Sequence, residues 1–174
     1  MSPEEEYSKH IKETYCSYDT CQVLKQLGFN DVCDCMYGMG IFHNGKYLDF
    51  DEECELKAEG RGNEIEYVPG GWVYGHTSSR NSDPWCKAKQ NCAMPTYDQA
   101  VRWMRKTYNV HIYVMRRRKQ WHWGMQDINA DNTEFLVSDN DYPEYEDAID
   151  AGIRTEAKKQ LIRKKNADKR NYSK

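Results

Sequence analysis

The chain has 174 residues, which fits one domain or two small ones and is long enough to bury a core. Charged residues make up 30% and mean hydropathy is -1.01, so that core must be small, while 13% aromatic residues, with five Trp and thirteen Tyr, exclude a disordered chain. Net charge is -3, no apolar run approaches the ~20 residues that span a bilayer, and the chain opens on an acidic stretch, so we expect a cytoplasmic protein with reduced thiols and no membrane partner.

Residues 1–16 are polar and read as an N-terminal segment outside the domain. Ser17 is placed to cap a helix in which Thr20, Val23, Leu24 and Leu27 recur at helical spacing, and Gly28 ends it. Two short strands are expected at about 32–39 and 45–50, joined by the turn signal Asn44-Gly45. Residues 51–92 combine an acidic run, Gly60 and Gly62, and the Pro69-Gly70-Gly71 triplet, and read as a loop-rich insert with possible strands at 64–68 and 71–75.

The second half is more regular. Thr96 and Gln99 form a capping box, and Tyr97, Ala100, Val101, Met104 and Tyr108 line one helix face up to Asn109. Val110, Ile112 and Val114 alternate as a strand that returns through residues 121–128, with a turn at Asp131 and Asn132 and a third strand over 133–137. Pro143 opens a last helix whose apolar face is Tyr145, Ile149, Ile153, Ala157 and Leu161, beside Ala148 and Gly152. The expected fold is α+β: a small antiparallel sheet of three to five strands, covered on one face by two or three helices, within a single domain over 17–162, followed by a basic tail over 163–174.

Residues 17–29, 93–110 and 145–153 carry a resemblance. Ser17-Tyr18-Asp19-Thr20 with Leu24, Leu27 and Gly28, the stretch Pro95-Thr96-Tyr97 with Trp103, Arg105, Asn109 and Val110, and the ending Tyr145-Glu146-Asp147-Ala148 with Gly152 and Ile153 resemble a family of small uncharacterised proteins encoded by phages, prophages and genomes of anaerobic gut bacteria. The resemblance covers roughly residues 17–40 and 93–162. It implies a mobile-element origin, a compact α+β fold and a location in the host cytoplasm, and it transfers no catalytic residue.

No spacing for catalysis is found. There is no Asp-x-Asp, His-Asp or His-Glu-x-x-His pattern and no phosphate-loop glycine cluster. Of the cysteine pairs, only Cys16-x4-Cys21 suits zinc, and a Cys86 or Cys92 thiol with His76 is the one nucleophile arrangement to weigh. We therefore assign no cofactor and no metal, and expect a non-enzymatic protein that works by binding a protein partner. Two surfaces are candidates. The acidic one is Asp51, Glu52, Glu53 and Glu55. The other is a hairpin in which Arg116, Arg117, Arg118 and Lys119 lie between Tyr113 and the same-face pair Trp121 and Trp123, types that neutralise phosphates and stack on bases, so nucleic acid is the alternative partner. The helix, three strands, helix order is similar to double-stranded RNA-binding domains, but Glu144, Glu146, Asp147 and Asp150 occupy the start of the last helix, where those domains are basic.

Overall fold

A computed structural model describes residues 3–128 and 135–172, without the side chains of residues 3, 4, 7, 76, 77, 135, 171 and 172. In chain order the elements are α1 (Pro3–Thr14), α2 (Tyr18–Leu27), β1 (Cys33–His43), β2 (Lys46–Tyr47), α3 (Phe50–Ala58), β3 (Glu66–Ser79), β4 (Cys92–Met94), α4 (Tyr97–Tyr108), β5 (Val110–Arg117), β6 (Gln120–Asp127), β7 (Phe135–Val137) and α5 (Tyr145–Tyr172). Single 3-10 turns lie at Gly62–Glu64 and Pro84–Lys87. The fold is α+β with two antiparallel sheets. The chain divides into two compact units, a central one over residues 30–94 and a terminal one formed by the segments up to Phe29 and from Pro95.

In the terminal unit, α4 and α5 pack on the sheet β5-β6-β7, and α2 packs on α5. The middle of the apolar stripe read from the sequence is the core of α5: Ala148, Ile149, Ile153 and Ala157 are buried, whereas Tyr145 at its start is exposed and Leu161 at its end is half-buried. Gly152 lets the helix sit down on the sheet, since a Cβ there would lie 3.0 Å from Trp123 Cβ and 3.1 Å from Ile112 Cγ2. Ser17 caps α2 as expected, accepting from Thr20 N, and Gly28 closes it at φ 108°. One buried carboxylate joins α2 to α5: Asp150 Oδ1 accepts from Ser17 N at 2.8 Å, and Oδ2 accepts from Ser17 Oγ at 2.7 Å and Thr20 Oγ1 at 2.9 Å. α4 has its capping box, Thr96 with Gln99, and Asn109 ends it at φ 57°. The turn expected at Asp131 and Asn132, and the start of the third strand at Thr133, lie outside the described residues.

The last helix departs from expectation at its far end. Residues 163–172 are not a tail but the continuation of α5, with Ile162, Arg163, Lys164, Lys165, Lys169 and Arg170 exposed. Within the polar segment 1–16, read as frayed or weakly helical, Pro3–Thr14 form α1, and Tyr97 Oη donates to the Lys12 carbonyl at 3.0 Å.

The central unit holds the stretch read as an insert. β3 spans fourteen residues and pairs along the length of β1, while β2 and β4 complete a four-stranded sheet. Pro69, Gly70 and Gly71, which read as a break, are absorbed as a register shift opposite Gly38 and Met39, with Gly70 at φ 71°. α3 starts from a capping box, Asp49 with Glu52. The Asn44-Gly45 turn is present, with φ of 50° and 76°.

Candidate functional site

The hairpin β5–β6 has the register that its alternation predicts, with Val114 opposite Trp123 and Arg116 opposite Trp121. Val110, Ile112, Val114, Arg116, Trp121 and Trp123 therefore share one face, and it is the face under α5. Trp123 is only 7% exposed and belongs to the core, which corrects its expected role as a stacking surface. Trp121 is half-buried. Its ring meets Tyr145 edge-on at 5.5 Å, and the Arg116 guanidinium lies 5.7 Å above it. Its backbone pairs both ways with Tyr142.

Tyr113 is on the opposite face, where its ring covers Gly124 and stacks with His111 at 5.9 Å. Burial, then the charge of Arg105, holds His111 below the usual imidazole range, and Arg105 Nη2 donates to its Nδ1 at 2.6 Å. The seven residues of the expected cluster thus do not form one surface. What remains exposed is Arg116 and the cationic tip beyond it, Arg117, Arg118 and Lys119, the last two at φ of 49° and 72°. Those left-handed values suit a two-residue hairpin turn but are unfavourable for long side chains. A polar hollow of about 310 Å³ lies beside the tip, where Arg117 and Arg118 are joined by His122, Asp139 and Asp141. His122 Nε2 lies 3.3 Å from Asp141 Oδ1. The two carboxylates offset part of the positive field that would attract phosphates.

The acidic candidates fall on and around α3, and they are not a free negative surface. Glu52 closes the capping box and accepts from Lys46 Nζ at 2.8 Å, which holds its carboxyl below the usual range. Glu53 is buried, a second correction: Oε1 accepts from Lys57 Nζ at 2.5 Å and from Tyr67 Oη at 2.6 Å. Asp51 and Glu55 point outward.

The thiols are mostly packing groups. Cys16, Cys21, Cys33, Cys35, Cys86 and Cys92 are buried thiols outside any disulfide, and Cys54 is exposed. Burial, reinforced by Asp31 and Asp34, pushes the Cys33 thiol up to about 12. Among the described residues no group of three or more His, Cys, Asp or Glu is placed to hold a metal ion. The His76 side chain, weighed as a base for Cys86 or Cys92, lies outside the described residues, and both thiols are fully buried.

The feature that sequence reasoning missed is on the central unit. The register puts Met36, Gly38, Gly40 and Phe42 of β1 on the same sheet face as Tyr47, Trp72 and Tyr74. Tyr47 stacks on Trp72 with ring centroids 4.1 Å apart, Phe42 meets Tyr47 edge-on at 5.9 Å, and Tyr74 meets Trp72 at 6.4 Å. The rings lie down because β1 has no side chain beneath them: a Cβ at Gly38 would be 2.5 Å from the Tyr74 ring, and one at Gly40 2.5 Å from the Phe42 ring. Trp72 is 37% exposed and Tyr74 44%. The row runs into a cavity of about 640 Å³ that Met36 and Tyr74 line together with Trp85, whose indole is 79% exposed. The i, i+2 spacing of Trp72 and Tyr74 was visible in the sequence, but it carries information only once the segment is known to be a strand.

Exposed rings in one row make a contiguous apolar patch of a kind that folded monomers seldom leave uncovered. The unit that carries them has eleven carboxylates against six lysines and arginines. No helix among the described residues is long and apolar enough to cross a membrane. Comparison with protein-family models, with curated proteins and with solved structures finds nothing that matches this chain.

Proposed function

We propose that the protein is a non-enzymatic accessory protein of phage or prophage type that binds a protein partner, and that its recognition element is the aromatic row Tyr47, Trp72 and Tyr74. The observation that carries this reading is the exposure of Trp72 and Tyr74, with the half-buried Tyr47 stacked beside them, on a glycine-floored sheet face. Tyr and Trp dominate binding hot spots because they bury large rigid areas at low entropy cost. The excess of carboxylates on the same unit favours a positively charged partner segment, through steering as much as affinity. The family resemblance supports the mobile-element setting.

The test is a random dodecapeptide array probed with the purified protein. Retained peptides should be enriched in Arg and Lys, and a Trp72→Ser, Tyr74→Ser variant should lose them. Retention that is identical for the variant overturns the reading.

Nucleic-acid binding by the hairpin is the second reading, favoured by one observation: Arg118 and Lys119 are both held at positive φ, so that two cations project from the tip. Its test is a shift assay at low salt. Substituting Arg117, Arg118 and Lys119 by Ala should lower any affinity and reduce the salt slope if phosphates are bound there.

A further inference from the structure

We propose that the cavity at the end of the aromatic row receives an arginine side chain of the partner segment. The proposal rests on the protein-binding reading above and names the chemistry of one of its subsites.

The cavity of about 640 Å³ lies in the range that holds ordered ligands, and it is large enough for one long side chain and the backbone that carries it. Its lining has two kinds of surface. Met36, Tyr74 and Trp85 supply thioether and ring faces, and Asp83 supplies a carboxylate. A cation held over an aromatic face with a carboxylate at its edge satisfies both.

The lining is held in place before any ligand arrives. Cys86 is fully buried, so the single turn Pro84–Lys87 that turns its thiol inward turns the preceding Trp85 indole out. Asn91 Nδ2 donates to the Trp85 carbonyl at 2.9 Å, and Cys86 N donates to the Asp83 carbonyl at 3.0 Å. Arg80 N donates to Asp83 Oδ2 at 2.6 Å, which fixes the carboxylate. Ser82 N donates to Asn30 Oδ1 at 2.7 Å, and Ala93 N to Asn81 Oδ1 at 2.9 Å, tying the loop to its own unit. An exposed indole on a pinned backbone loses little entropy on binding.

Arginine fits better than lysine for three reasons. Its guanidinium is planar and stacks on rings, it is more weakly hydrated, and its fork matches a carboxylate. An uncharged side chain would desolvate the Asp83 carboxylate without balancing its charge. The net negative charge of the unit acts in the same direction.

The probe is N-acetyl-arginine amide, followed in 1H–15N spectra of the full chain, with the lysine and leucine amides alongside. The arginine amide should give saturable shifts at the Trp85 indole N–H and the Asn91 side-chain amide, with a Kd on the order of 1–30 mM. The lysine amide should bind more weakly and the leucine amide should leave these signals in place. Asp83→Asn retains an oxygen for Arg80 N, so the loop is kept, and should weaken arginine roughly fivefold. Trp85→Leu should abolish saturation, and its spectrum shows whether the fold persists. Non-saturable shifts, equal response to leucine, or indifference to Asp83→Asn overturns the assignment. Peptides retained on the array without this response remove the arginine subsite alone. An arginine response with no peptide retained removes the protein-binding reading instead.

Discussion

Tyr47 and Trp72 stack across the width of a strand: one ring comes from β2, the other from β3, and their centroids are 4.1 Å apart with planes 17° from parallel. β1 lies between the two strands, and on that face it carries Gly38 and Gly40, against which the Tyr74 and Phe42 rings of the same row pack. The same glycines that leave β1 without packing groups on this face make room for an exposed aromatic surface.

Substituting the two glycines should have different consequences. At Gly40 a Cβ would lie 2.8 Å from the Gly71 carbonyl carbon, which is backbone and cannot swing away. Gly40→Ala should cost about 1–3 kcal/mol in urea unfolding, as overpacked sites do. At Gly38 the three nearest atoms all belong to the Tyr74 ring, which can lift. Gly38→Ala should therefore change stability less while moving the Tyr74 ring signals in an NMR spectrum.

Truncating Asp150 should be costly. Its carboxylate is the acceptor for Ser17 N, Ser17 Oγ and Thr20 Oγ1, and it is buried. Asp150→Ala leaves the start of α2 with unsatisfied donors and should lower stability by about 2–4 kcal/mol. Asp150→Asn, which retains one accepting oxygen, should lose less. Denaturant midpoints of the two variants at equal slope measure the difference.

Thiol chemistry should be uneven. Cys54 is exposed, whereas Cys33 is buried with its thiol pushed up to about 12. Native protein treated with iodoacetamide at mildly alkaline pH should be alkylated at Cys54 first and at Cys33 only after unfolding, as read by peptide mass spectrometry. Early modification of Cys33 would contradict its burial.

The turn after α3 should carry a pH signature. Arg61, and then His43, hold the Glu64 carboxyl down at about 2 from an ordinary value of 4.5. Arg61 Nη2 donates to its Oε2 at 2.8 Å. A depressed carboxyl binds its proton more readily in the unfolded chain, so its contribution is complete above 4.5 and is lost as pH falls toward 2. Both partners are exposed, so the effect is small. Glu64→Gln should flatten the stability profile between pH 4.5 and 2 and leave its shape unchanged above that window.

How much of this was legible depends on local signals. α2 and α4 were readable because each has a capping residue and a clear apolar stripe, the first half of α5 because of its stripe, and β5–β6 because of strict alternation. α3 was missed although Asp49 and Glu52 spell its capping box, because an acidic run with hardly any apolar stripe looks like a solvated loop. β3 was cut in two because Pro69-Gly70-Gly71 is a turn signal in most settings, and only pairing with β1 converts it into a bulge. Alternation placed Trp121 and Trp123 on one face, but it did not say that α5 covers that face. The outward direction of Trp85 follows from the burial of its neighbour Cys86, a tertiary fact with no local signature.

The most direct test of the central claim is a footprint. A retained, arginine-bearing dodecapeptide is titrated into labelled protein and the perturbed residues are mapped. The account predicts that shifts concentrate on Tyr47, Trp72, Tyr74 and the Trp85 indole. A footprint centred on Arg117, Arg118 and Lys119, or one that leaves the four rings unperturbed, would contradict it.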